Sequence, residues 1–183
     1  MTTRDFDPLR LDVAAFATAA GELGGIWPLA QFDRLTEAAV ADVLDPTSGQ
    51  VTWSARGERR AMRGAETQVW LHVEAGTHIP LECQRCLKPV DVPLQVHRSF
   101  LFVHGEDAAA QLDTDSEDDV LALTRALDLR ELIEDELLLA MPIVPRHEVC
   151  PNPLPVAIEE EVDEEKPNPF AALAALKRPG SLN

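Results

Sequence analysis

The chain has 183 residues, with 16 basic and 32 acidic side chains, and its net charge is -16 at pH 7. This balance disfavours a protein that wraps a phosphate backbone through broad contacts. No run of sequence approaches the roughly 20 consecutive apolar residues of a membrane span, and the first residues lack the order of a signal peptide, so we expect a cytoplasmic protein.

The length fits one principal domain with tails. We expect residues 1–155 to form a single α+β domain with an N-terminal segment. Residues 156–183 read as an acidic linker followed by a short amphipathic helix. The expected fold is an antiparallel sheet in meander order, with one or two packed helices, a cysteine knuckle, an acidic loop and the C-terminal tail.

The N-terminal third gives mixed signals. Residues 9–11 alternate like a short strand, and Asp12 then stands where a helix N-cap is expected. The Gly24-Gly25 pair is expected to end that helix. The pattern of residues 26–35 leaves their secondary structure open.

From residue 36 to residue 102 the hydrophobic period becomes two, which is typical of antiparallel strands. We expect first strands around Ala39 and Val43, and then around Val51 and Trp53. A tight hairpin turn is expected at residues 56–58. Two longer strands, starting near residues 67 and 90, enclose a pair of cysteines.

The acidic segment 105–119 is expected to be a mobile loop, followed by a short strand over residues 120–123. Asp128 and Glu131 form a capping box for a helix that Pro142 stops. The acidic side chains of this helix are most simply a solvated face; they are Glu131, Glu134, Asp135 and Glu136. An alternative function class uses carboxylates of residues 106–136 as metal ligands of a nuclease acting on RNA.

The three cysteines carry the strongest chemical signal. Cys83 and Cys86 form a C-x2-C pair, and His147 and Cys150 form an H-x2-C pair beyond the helix. Together they supply the four ligands of a structural zinc site. Two alternatives stay open: inert buried cysteines, and a redox or metal-sensing adaptor that uses the C-x2-C thiols.

Two further surfaces are candidates for binding. Several cations could touch RNA, although an ordinary polar strand face explains them as well; they are Arg56, Arg59, Arg60, Arg63, Arg85 and Lys88. The C-terminal amphipathic segment either docks on its own domain or binds a partner in the helix-in-groove manner. Its candidate residues are Asn168, Pro169, Phe170, Leu173, Leu176, Lys177 and Arg178.

Three segments in order, residues 81–89, 134–150 and 166–178, resemble the YceD family of large ribosomal RNA subunit accumulation proteins, and residues 25–35 add a weaker likeness. The resemblance implies a role in the synthesis, processing or stability of 23S ribosomal RNA, with no defined enzymatic reaction. We therefore expect a non-catalytic ribosome-biogenesis factor. Its expected partner is a ribosomal protein or a large-subunit assembly factor, and we expect contact with 23S rRNA or its precursor to be indirect.

Overall fold

The computed structural model describes residues 5–44, 49–62 and 67–151, apart from the side chain of Asp115. Its centre is a five-stranded sheet whose strands follow the chain in spatial order. The strands are β1 (Glu22–Pro28), β2 (Gln50–Arg60), β3 (Gln68–Glu82), β4 (Pro89–Val103) and β5 (Asp119–Ala122). The first four pair antiparallel, which confirms the predicted α+β class and meander.

The last strand departs from the meander, because β5 pairs parallel with β4. A parallel neighbour needs a crossover connection, and a helix in the segment between the two strands provides it. The described helices are α1 (Val13–Thr18), α2 (Asp33–Glu37), α3 (Glu106–Asp115) and α4 (Leu129–Leu139). None of the helices in this described part is long and apolar enough to cross a membrane.

The main core lies on one face of the sheet, where α1, α2 and α4 contribute side chains such as Phe16, Leu35 and Ile133. Leu71 and Val73 of β3 meet them with no exposed surface. The alternation predicted for β3 therefore holds. Successive side chains of a strand point to opposite faces, so the even-numbered residues of β3 lie on the other side.

A smaller cluster covers part of that second face. Trp70, Leu101 and Val120 pack there with Ala109 of α3. The prediction of a loop over residues 105–119 was wrong, since most of the segment is helical. Only one alanine of this acidic helix is buried, so the sequence carries almost no apolar periodicity to reveal it.

The predicted hairpin turn at residues 56–58 was also wrong, because these residues lie inside β2. Gly57 pairs with Leu71 in the β2–β3 ladder. A Cβ at Gly57 would lie 2.8 Å from the backbone N and Cα of Ala17 in α1. The glycine thus allows helix α1 to approach strand β2 closely, and such close approach is a common reason for glycine within a strand.

Other corrections concern the N-terminal third. Helix α1 has Asp12 as its N-cap, as predicted, but it ends at Thr18, and Gly24 and Gly25 belong to β1. The strand expected over residues 9–11 is reduced to a single bridge between Leu11 and Leu127. The strand expected around residues 39–43 is absent from this described segment, which forms turns after α2. Residues 26–35 complete β1, pass through a 3-10 turn (Leu29–Gln31) and enter α2.

Helix α4 begins with Asp128 as the predicted N-cap, since its Oδ1 accepts hydrogen bonds from the backbone N–H groups of Arg130 and Glu131. Among the described residues, no hydrogen bond from the Asp128 N–H to the Glu131 carboxylate completes the predicted capping box. The prediction of a solvated acidic face was wrong for two of its members. Glu134 and Glu136 are each only 8% exposed. Partners distant in sequence compensate this burial: Glu134 pairs with Arg34, and Glu136 accepts a hydrogen bond from Arg98 at 3.0 Å.

Candidate metal centre

The turn between β3 and β4 presents the two cysteines of the C-x2-C pair. The backbone N–H of Cys83 donates to the carbonyl of Lys88 at 2.9 Å, and the N–H of Leu87 donates to the carbonyl of Cys83 at 2.8 Å. Leu87 adopts the left-handed region with φ of 57° and reverses the chain. These bonds direct Cys83 and Cys86 into the same space.

The segment after α4 brings the second pair to this turn. Pro142 and Pro145 restrict φ in the irregular segment beyond the helix, which bends at residues 143 and 144. The backbone N–H of Gln84 then donates to the carbonyl of Pro145 at 2.9 Å, which joins the segment to the turn. His147 and Cys150 follow directly.

The four side chains converge. The sulfurs of Cys83, Cys86 and Cys150 and a ring nitrogen of His147 all lie within 4.8 Å of one another. All three cysteines are free of disulfides. The two sulfurs of Cys83 and Cys150 are 3.9 Å apart, and the Cys86 sulfur lies 3.5 Å from Nδ1 of His147.

Two of these separations, 3.9 and 3.5 Å, are close to the edges of a tetrahedral site, and the others are at most 4.8 Å. Zinc–sulfur bonds of about 2.3 Å and zinc–nitrogen bonds of about 2.0 Å give tetrahedral edges of roughly 3.5–3.8 Å. Cys83 and Cys150 are buried, whereas Cys86 and His147 are partly exposed. The arrangement suits a closed structural site with four protein ligands.

The histidine is held in the orientation that such a site needs. Nε2 of His147 lies 3.0 Å from the carbonyl oxygen of Pro89. A proton on Nε2 donates to this carbonyl and leaves the lone pair of Nδ1 directed at the cysteine sulfurs. A second ring nitrogen bound to a backbone carbonyl is characteristic of histidines that ligate metals.

The thiols of the group differ in acidity. Burial raises the pKa of Cys83, but hydrogen bonds from the backbone N–H groups of His147, Arg85 and Cys86 outweigh burial, and the pKa falls from 9.0 to about 5. Burial raises the pKa of Cys86, and the adjacent sulfurs of Cys150 and Cys83 raise it further. The thiolate is the form that binds a metal ion.

Arg85, predicted as an RNA contact, is directed into this centre. Its Nε–H donates to the sulfur of Cys150 at 3.0 Å, and its Nη2 donates to the carbonyls of His147 and Glu148. The hydrogen bond to Cys150 is the foremost cause of a raised pKa for Arg85. Lys88 lies on the same turn with its side chain exposed.

Arg56, Arg59 and Arg60 do not form one patch with Arg85. Arg56 and Arg60 lie on the second sheet face, whereas Arg59 points to the opposite face. Arg60 stacks over Trp70 at 4.8 Å and pairs with Glu58. These residues pair with the first part of β3, so up to about 45 Å of strand separates them from the cysteine turn. Arg63 lies outside the described residues.

The carboxylates proposed as nuclease ligands do not converge in the described residues. Within 5–44, 49–62 and 67–151, the Cys/His group is the one cluster of three or more metal-ligating side chains. Glu134 and Asp135 both pair with Arg34, and Glu136 pairs with Arg98. The candidate partner-binding residues 168–178 lie outside the part of the chain that the structure describes.

The residues that support the four candidate ligands were not predicted from the sequence in this role. Arg85, Gln84 and the Pro89 carbonyl hold the ligand segments together. Of these, only Arg85 carries a sequence signal, because it is the one cation between the two cysteines of the turn. The two backbone contacts have no signature in side-chain type.

Comparison with known proteins identifies the family of the chain. The family model described as large ribosomal RNA subunit accumulation protein YceD matches residues 71–177, which include all four side chains. A protein of that name from Haemophilus influenzae is 31% identical over 176 residues, covering 93% of this chain and 96% of its own length. No solved structure matches the chain significantly. The chain therefore belongs to the YceD family of large ribosomal RNA subunit accumulation proteins.

Proposed function

We propose that the protein is a non-catalytic ribosome-biogenesis factor that supports the synthesis, processing or stability of 23S rRNA. Membership of the YceD family carries this proposal, since the likeness to a large ribosomal RNA subunit accumulation protein extends over 93% of the chain. The proposed role places the protein in the cytoplasm with the assembling large subunit.

The metal in this proposal is a structural zinc ion held by Cys83, Cys86, His147 and Cys150. Three sulfurs and one imidazole nitrogen within 4.8 Å of one another support zinc over a hard cation, which prefers oxygen ligands. Four protein ligands leave no open coordination position for a substrate. This closed set supports a structural ion that joins the β3–β4 turn to the segment after α4.

A thiol-based adaptor would use the same cysteines. The low pKa of Cys83 serves metal binding and thiol chemistry equally, because both need a thiolate. The placement of His147 and Cys150 favours the metal, since a C-x2-C redox pair requires neither residue. Metal content and thiol reactivity measured on the same sample distinguish the metal site from the thiol-based adaptor.

The surface of the metal centre supports a protein partner. Leu87, Ile143 and Val149 are 66%, 98% and 85% exposed around the turn and the segment after α4. Large exposed apolar patches mark sites of protein–protein interaction, among other uses. A net charge of -16 further weakens a role for broad contact with RNA. The proposed partner is a ribosomal protein or another assembly factor.

The C-terminal segment is the second proposed contact. We assign residues 1–155 to the folded domain, and residues 156–183 to a linker and a partner-binding helix with Phe170, Leu173 and Leu176 on its apolar side. Deleting residues 166–183 tests this assignment through two readouts. An unchanged melting temperature with loss of rRNA accumulation supports a partner-binding helix, and a large fall in melting temperature favours docking on its own domain.

Cellular rRNA tests the proposed function directly. Cells that lack the protein should contain less 23S rRNA relative to 16S rRNA, and the full chain should restore the ratio. Cys150→Ser should fail to restore it, because it removes one metal ligand. Ser54→Ala, a change at an exposed position of β2 outside both the ligand set and the turn, is the control and should restore it. A ratio that does not change when the protein is absent would reject the proposed role.

The non-catalytic assignment has its own test. Purified protein incubated with precursor 23S RNA and Mg²⁺ should leave the RNA intact. Cleavage that is lost in Asp135→Ala or Glu136→Ala would support the nuclease alternative instead. Because Glu136 is buried against Arg98, its variant must first be shown to fold.

A further inference from the structure

Arg85 occupies an unusual position for a cation on an exposed turn. It lies between two of the candidate ligands in sequence and contacts a third, Cys150, through Nε at 3.0 Å. Its Nη2 donates to the backbone carbonyls of His147 and Glu148 at 2.9 and 3.3 Å. One guanidinium group thus makes three hydrogen bonds to the segment that supplies half of the candidate ligand set.

The hydrogen bond between Arg85 and Cys150 matters because of the net charge that the centre would have with a metal ion bound. A divalent ion bound by three thiolates and one neutral imidazole has a net charge of -1. Cys83 and Cys150 are buried, so an uncompensated charge there is costly. Within the described residues, Arg85 is the only cationic side chain hydrogen-bonded to a sulfur of the group, and its charge brings the sum to zero.

The shape of the guanidinium also matters. A planar fork of N–H donors can bind a sulfur and neighbouring carbonyls at fixed angles, whereas an ammonium group is a compact charge on a flexible stem. Arg85 therefore both neutralises the centre and fixes the path of the chain from His147 to Cys150. Lysine at this position would keep only the charge.

We propose that Arg85 is a positioning residue of the metal centre, which raises its affinity for a divalent thiophilic ion by neutralising the thiolate set and holding Cys150. The inference rests on the proposed zinc site. It replaces the predicted role of Arg85 as an RNA contact. Residues that orient metal ligands through hydrogen bonds typically change metal affinity by about 10- to 100-fold when they are mutated.

The test compares full-length Arg85→Gln, Arg85→Lys and the control Lys88→Gln with the wild type. Each protein is loaded with Zn²⁺ and titrated with a chromophoric chelator. Arg85→Gln should bind Zn²⁺ about 10- to 100-fold more weakly. Arg85→Lys should recover part of the loss, and Lys88→Gln should match the wild type because its exposed side chain is outside the centre.

Cobalt substitution distinguishes an effect on the ligands from a general loss of stability. A hydrogen bond to a thiolate lowers the energy of its sulfur electrons, so removing the bond should shift the sulfur-to-cobalt charge-transfer absorption of Arg85→Gln to longer wavelength. A merely structural residue would lower the melting temperature of the metal-free protein and leave this absorption in place. The melting temperature of each metal-free variant is measured alongside.

Failure of this inference can be separated from failure of the zinc site. If Arg85→Gln matches the wild type in affinity and absorption while Cys150→Ser loses the metal, the centre stands and the role of Arg85 is refuted. If the wild type binds neither Zn²⁺ nor Co²⁺, the zinc site and the inference are both refuted. The rRNA measurement remains an independent test of the cellular role.

Discussion

The buried carboxylate of Glu134 gives a sharp test of how α4 is held. Its side chain is 11% exposed, and it accepts hydrogen bonds from the backbone N–H of Leu35 at 3.1 Å and from Arg34 at 3.1 and 3.2 Å. Glu134→Gln keeps the shape but replaces one accepting oxygen with an NH2 group. That group must face either the Leu35 N–H or the Arg34 guanidinium, and both are donors.

The loss of stability in Glu134→Gln depends on which of the two donors, the Leu35 N–H or the Arg34 guanidinium, loses its acceptor. Hydrogen bonds to charged groups contribute about 1.5–3 kcal/mol, and a buried donor without an acceptor costs a similar amount. The Arg34 side chain is 47% exposed, so water can replace part of its lost interaction. We therefore expect Glu134→Gln to lower the free energy of unfolding by about 1.5–2 kcal/mol, toward the lower end of that range.

Asp135→Asn is the matched control, because Asp135 pairs with the same arginine while 48% exposed. An exposed ion pair contributes about 0–1 kcal/mol. Urea unfolding measures both variants, and with a slope of about 2 kcal/mol per molar urea, Glu134→Gln should lower the midpoint by close to 1 M. Equal midpoints for the two variants would refute the buried anchoring of α4.

Three further predictions concern the sheet, pH and the metal. Gly57→Ala should destabilise the fold by about 1–3 kcal/mol through overpacking, whereas Gly76→Ala, whose Cβ would meet nothing closer than 3.6 Å, should be close to neutral in the same urea assay. The pKa of Glu58 lies below its ordinary 4.5 because hydrogen bonds from His72 foremost, and then from Arg60, stabilise the charged carboxylate. The free energy of unfolding, measured from pH 6 to pH 3, should therefore fall below about pH 4.5 as Glu58 becomes protonated. Glu58→Gln should make that fall smaller. Cys150→Ser and chelation of the wild type should lower the melting temperature to a similar extent in calorimetry, and chelation should not lower that of Cys150→Ser further.

The parts of the fold that the sequence predicts are those with strong local signals. Strict alternation from Val69 onward defines β3, and Asp128 marks the start of α4. The two cysteine pairs predict the candidate site because a metal ligand set is conspicuous by residue type and spacing. The proline-stiffened segment after α4 limits where His147 and Cys150 can lie.

The errors arise where one residue type serves two purposes. A glycine in a sequence can indicate either a turn or a place where two backbones approach closely. For Gly57 the second explanation applies, because Ala17 of α1 packs against it, and the local sequence does not show this contact. An acidic residue on a helix fits solvent or a buried pair, and the partner of Glu134 lies 100 positions away in the chain. The direction of Arg85 likewise depends on where the segment after α4 returns. Such long-range contacts have no local pattern.

The central claim is that Cys83, Cys86, His147 and Cys150 bind one zinc ion. Zinc X-ray absorption of the full-length protein, purified without added metal and quantified by elemental analysis, tests it most directly. We predict one zinc per chain, with three sulfurs at about 2.3 Å and one nitrogen at about 2.0 Å. A metal-free protein, or a bound ion surrounded by oxygen with fewer than three sulfurs, would contradict the claim.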